Sequence, residues 1–175
     1  MTGAQLLVTT VDAAWLPAGG DAEVWVGEDV PLPEPTIIVR LLLVRRPGGE
    51  PARFFCVRGP KGLDLPTRFL EPGTERADPP LGVARLLTHV LGGGARETST
   101  RCIGFVRNVV GVRDAAYPHP TPWAHVPVLA VDGDPEPVVV GEWVDLAGAH
   151  GSLGTRHWWS IVEHHLGPAP ADHGS

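Results

Sequence analysis

TIIVRLLLV, residues 36–44, is apolar nearly throughout, with Arg40 as the interruption. A run of that kind, rich in branched residues and lacking polar alternation, predicts a strand covered on both faces and so the centre of a sheet. The turn chemistry of RRPGGE, residues 45–50, follows it, and ARFFCV, residues 52–57, returns as a partner strand.

Working outward, QLLVTTV at 5–11 and EVWV at 23–26 read as short N-terminal strands added at an edge or an interface, before the connector PLPEP at 31–35. The clearest helix signal is residues 78–92, with Asp78 as N-cap, prolines in the first turn and glycines 92–94 as the stop. Val83, Leu86, Leu87 and Val90 fall at i, i+3, i+4 and i+7, which predicts one face packed on the sheet, with Arg85 and His89 on a more exposed face. Residues 101–110, 123–131 and 138–144 read as further strands. A last helix is expected over 155–166, turning Trp158, Ile161, Val162 and Leu166 or His165 inward. Of the adjacent Trp158 and Trp159, one is expected to leave the core and meet another segment, a ligand or a second subunit. The polar tail at 167–175, GPAPADHGS, is expected to be disordered. Residues 1–166 are thus expected to form a single α/β domain, helices flanking a mixed sheet.

Composition narrows the classes of function. With 22 glycines and 19 prolines in 175 residues, many short elements are expected and a helical bundle is disfavoured. The net charge of −6 argues against bulk nucleic-acid binding, yet residues 36–76 hold eight bases against four acids. All the bases but Lys61 are arginines, whose planar forks suit small anions. No apolar run approaches the ~18 residues of a membrane span, and Cys56 and Cys102 sit in strand-like runs as expected for buried thiols, so the cytoplasm is the expected compartment.

LPTRFLEPGT at 65–74 followed by RLLTHVLG at 85–92 resembles the signature of the Nudix hydrolases, and the flanking strands, with EWVDL at 142–146 before a last helix, fit that family's order of elements. The resemblance implies a Nudix-like α/β/α sandwich with a mixed sheet, and hydrolysis of a small nucleoside-diphosphate-linked compound with Mg2+ or Mn2+ as cofactor. Family members hold the metal with helix glutamates, whereas the corresponding positions here are Leu86, His89 and Val90. Magnesium requires hard oxygen ligands that leucine and valine lack, so the residues themselves define no metal site. Glu71, Glu75, His89 and Glu142 are the weak candidates for replacement catalytic groups.

Three readings follow. The first is a Nudix-family hydrolase with an altered or weak metal site. The second is an inactive module of the same fold that binds a nucleotide-like or other small anionic ligand through Arg58, Arg68 and Arg85. The third is a dimerising partner-binding protein that uses surface tryptophans, a homodimer being the expected assembly. Single histidines such as His119, His125 and His157 are read as structural.

Overall fold

A computed structural model describes residues 3–167. In chain order the elements are β1 Gln5–Thr10, β2 Asp21–Val26, β3 Ile38–Leu42, β4 Val44–Arg45, β5 Arg53–Gly59, β6 Gly62–Asp64, β7 Thr67–Phe69, α1 Pro79–Leu91, a 3₁₀ turn Gly92–Glu97, β8 Thr100–Val109, β9 Trp123–Val131, β10 Glu142–Asp145, α2 Leu146–Leu153 and α3 Trp159–Leu166. One sheet runs β1-β2-β8-β9-β3-β7 and is mixed, because β3 pairs with β9 in parallel and the other pairs are antiparallel. The second runs β10-β5-β4, with β6 paired to β5.

The central run serves both sheets. Its β3 part lies between β9 and β7; Leu43 then accepts a hydrogen bond from Phe55 N at 3.1 Å, and β4 continues into the second sheet. Val39, Leu41 and Leu43 face a core made with Val83, Leu86 and Val90 of α1. Leu42 and Ile38 belong to the opposite core, with Trp158, Ile161 and Val162. Both faces are therefore buried, each core leucine contributing roughly 1.5–3 kcal/mol, and the fold is mixed α/β with α1 and α3 in different cores. The N-terminal strands lie at an edge: β2 pairs with β8, and β1 is left outermost with every residue exposed.

Several expectations are corrected. Asp78 stands at the head of α1 but its side chain makes no capping bond. Pro80 at the second helical position has no N–H to offer, and Leu81 N already donates to the backbone oxygen of Asp78 at 3.0 Å. Glycines 92–94 do not simply stop the chain; Gly92, at φ 58°, ends α1 and opens the 3₁₀ turn. The strand expected over 138–144 shrinks to β10, because Val138 N instead donates to Val90 O at 2.7 Å near the end of α1, and Val140 is 96 % exposed. The last helix begins at Trp159, after α2, an element absent from the sequence reading because Gly148, His150, Gly151 and Ser152 are weak helix formers. Asp145 caps α2 by accepting from Gly148 N at 2.6 Å.

Both Trp158 and Trp159 are buried, at 1 % and 4 % exposure, contrary to the reading that one must leave the core. Trp158 precedes the first turn of α3 and meets Phe54 edge-on, while Trp159 is covered by His150 of α2. Of the tail at 167–175, only Gly167 belongs to the described residues; the rest of that expectation lies outside them. Among the described residues no helix is long and apolar enough to cross a membrane.

Candidate functional site

Four of the sequence candidates come together, as a closed ion network. Glu75, in the loop before α1, is wholly buried, and its carboxylate accepts Nε of Arg68 at 2.9 Å, Nη2 of Arg68 at 2.7 Å and Nη1 of Arg85 at 2.5 Å. Glu71 lies 3.8 Å from Arg85 and its backbone N–H donates to Glu75 at 3.3 Å. The Arg68 hydrogen bonds, helped by Arg85, hold the Glu75 carboxyl down to about 2 against the opposing effect of burial. Arg68 and Arg85 are thus committed to a protein carboxylate. Arg58 is remote from them, 3.2 Å from Glu142 across the β5–β10 pair.

The three helix positions at which the resemblance implies acids do not form a metal-binding surface. Leu86 and Val90 are buried in the apolar core and His89 is exposed without a hydrogen-bond partner among the described residues. Among those residues no three His, Cys, Asp or Glu side chains are grouped to hold an ion. This donor set does not fit Mg2+ or Mn2+.

A different set of residues converges on a cleft of about 730 Å³ between the β5–β6 hairpin, β7 and the segment leading into α3. Its walls carry Arg40, Lys61 and Arg156 against a single carboxylate, Asp64, with Thr67, Phe69, His157 and Trp158. Asp64 Oδ1 accepts Nη1 of Arg40 at 2.9 Å, Nε1 of Trp158 at 2.7 Å and the backbone N–H of Leu65 at 2.8 Å, which fixes the floor. Arg40 also donates to Thr67 Oγ1 at 2.8 Å; burial lowers its pKa, and the Asp64 charge opposes that. Arg156 anchors the hairpin by donating Nη2 to the carbonyls of Lys61 and Leu63 at 2.9 and 2.7 Å, leaving Nη1 with a 3.9 Å approach to Asp64.

Two aromatic surfaces flank these charges. Phe69 is 71 % exposed at the rim, and Trp15, from the β1–β2 connection, stacks on His157 with ring centroids 3.9 Å apart. Burial first, and then the charges of Arg40 and Arg156, push the His157 pKa below its ordinary value, so the imidazole is neutral at physiological pH. The arrangement can recognise an anion joined to a flat apolar group: excess positive charge, partly desolvated, beside aromatic faces.

Arg68 lies outside this cleft for a simple geometric reason. Along β7 the side chains alternate, so Thr67 and Phe69 face the cleft while Arg68 faces Glu75 on the other side. The legible signal was Arg40, a lone charge inside a doubly covered strand, which requires a buried partner. Asp64 and Arg156 belong to no motif. Neither a protein-family model nor a curated protein matches this chain.

Proposed function

We propose that the chain is a Nudix-like domain whose role is to bind a small, anionic, nucleotide-like ligand in the cleft of Arg40, Lys61, Arg156 and Phe69. The observation that carries this reading is the cleft's excess of three cations over one carboxylate beside exposed aromatic surface. The order of elements supports the Nudix-like assignment: a central strand, a hairpin, a loop and α1, then two long strands and a closing helix. Binding is favoured over metal-assisted hydrolysis because Leu86 and Val90 lie in the core, where a metal-bound phosphate has no access.

A thermal-shift titration with nucleoside mono- and diphosphates tests it. A rise in melting temperature is expected for the native chain and is expected to be at least tenfold weaker in ligand concentration for Lys61→Gln and Arg156→Gln, each losing a charged contact worth about 1.5–3 kcal/mol. Release of product in the presence of Mg2+ or Mn2+ would replace this reading with the hydrolase. Self-association is favoured by one separate observation, the outermost strand β1 with Leu6, Leu7 and Val8 all exposed. Light scattering returning a strict monomer sinks it.

A further inference from the structure

Arg107 stands on β8, between β2 and β9, with an indole from each neighbouring strand. Its guanidinium carbon lies 5.1 Å from the ring centroid of Trp25 on β2 and 4.5 Å from that of Trp123 on β9. The register also places Glu23, Arg107 and His125 in one row across the three strands. Nη1 of Arg107 approaches Glu23 at 3.5 Å, and Glu23 accepts the Trp25 indole N–H at 3.2 Å. On the other side Arg107 Nε donates to Nε2 of His125 at 3.0 Å. A guanidinium nitrogen always carries its hydrogen, so this last contact requires a bare lone pair on Nε2.

His125 is therefore neutral in this arrangement, and its proton sits on Nδ1, which donates to the Pro35 carbonyl at 2.9 Å. The same carbonyl accepts the His125 backbone N–H at 3.0 Å, and Ile37 N donates to His125 O at 3.0 Å. The residue is 1 % exposed, and its ring meets that of Phe105 edge-on with centroids 5.4 Å apart. The histidine is thus fixed by the segment before β3, whereas Arg107, with 21 % of its side chain exposed, can turn outward. Arg107 from β8 and Glu23 from β2 are the charged groups that act on His125; the segment before β3 brings only Pro35 and Thr36, which carry no charge. Burial is the first cause that lowers the His125 pKa, opposed by the Pro35 bond; Arg107 lowers it further and Glu23 opposes. A second proton on the ring must enter at Nε2. There it sets one N–H against another and puts two cations at hydrogen-bond distance away from water.

We infer that His125 is an acid-sensitive latch on this face of the sheet: neutral, it holds Arg107 between Trp25 and Trp123, and on taking a proton from water at Nε2 it releases Arg107 toward Glu23 and solvent. Release leaves the two indoles without the cation between them, and Trp123 is already 46 % exposed. None of these residues lines the Arg40–Arg156 cleft, so the latch stands apart from the function proposed above.

Nitrogen NMR of the full chain, labelled in histidine, arginine and tryptophan, reads both ends of the contact. At neutral pH the His125 ring, assigned through its own backbone, is expected to be the Nδ1–H tautomer with Nε2 bare. On acidification Nε2 is expected to gain its proton below the ordinary 6.5, with the Arg107 Nε and the Trp25 and Trp123 indole signals moving at the same midpoint. Arg107→Met is expected to raise the His125 midpoint. His125→Gln, which can accept the Arg107 N–H but has no proton to gain in this range, is expected to abolish the coupled arginine and indole shifts. Should either variant fail to fold, the tautomer and the shared midpoint in the native chain decide. An Nε2–H tautomer at neutral pH, indole signals that do not follow His125, or global unfolding before His125 gains its proton overturns the latch.

Discussion

Glu75 shows how one side chain settles the use of two others. Its carboxylate is wholly buried yet ionised because Arg68 closes a two-pronged contact on it and Arg85 adds a third bond. A carboxyl whose folded pKa of about 2 lies below its ordinary 4.5 stabilises the fold at all pH values above the latter. That contribution is lost as pH falls through the interval between them. Chemical denaturation is therefore expected to show the native chain losing stability between neutral pH and about pH 3, with a visibly flatter profile for Glu75→Gln, which has no charge to lose there. At neutral pH the variant is expected to be the less stable, since both arginines lose an ionic acceptor. Equal pH slopes for the two proteins would remove the network from the account.

At the scale of elements, α1 is the informative piece. Its apolar spacing was legible because a helix half sunk in a core must repeat its buried residues every three or four positions, and Val83, Leu86, Leu87 and Val90 are all buried. The central strand was legible for a related reason, burial on both faces. What the sequence did not disclose was where loops and weak helices go: α2 lacks a strong periodic face, and the run at 138–141 has strand composition but is held away from the sheet by its bond to Val90. The cleft was hidden because Arg40, Asp64 and Arg156 come from β3, β6 and the segment before α3, and only the folded topology brings them together. The helix also yields a test of its role. Leu86→Glu, which puts an acid where the family resemblance implies one, is expected to cost several kcal/mol by placing a carboxylate in a closed apolar core, and to confer no magnesium affinity by calorimetry. A stable variant that binds magnesium would show that the helix face is a metal site in waiting.

Across the whole molecule, charge and chemistry are partitioned. The net −6 coexists with arginines that are mostly spent on internal partners: of the basic stretch between residues 36 and 76, Arg40, Arg45, Arg53, Arg58 and Arg68 all meet carboxylates. Of the same stretch, Arg46, Lys61 and Arg76 meet no carboxylate among the described residues, and Lys61 is the one of these on the cleft wall. The thiols are inert by the same logic of burial. Burial, with Asp64 adding to it, pushes Cys56 to about 12, and burial pushes Cys102 to about 11. Labelling by a thiol reagent is expected to be negligible in native buffer and to follow global unfolding in denaturant, with both cysteines reacting together. Rapid labelling of one cysteine in the native state would reveal a local opening in the core that contains it.

The strand order β1-β2-β8-β9-β3-β7 also has a consequence for how the chain is made. The strands that join β2 to β3 are β8 and β9, which span residues 100–131 and leave the ribosome long after both neighbours. Until then α1, β7 and the β4–β5 pair can cover the Leu41 face of the apolar run, while the Leu42 face waits for β8, β9 and α3. The nascent protein therefore passes through an interval in which its most insoluble segment waits for a partner still untranslated, and it is in this interval that a chaperone has most to hold.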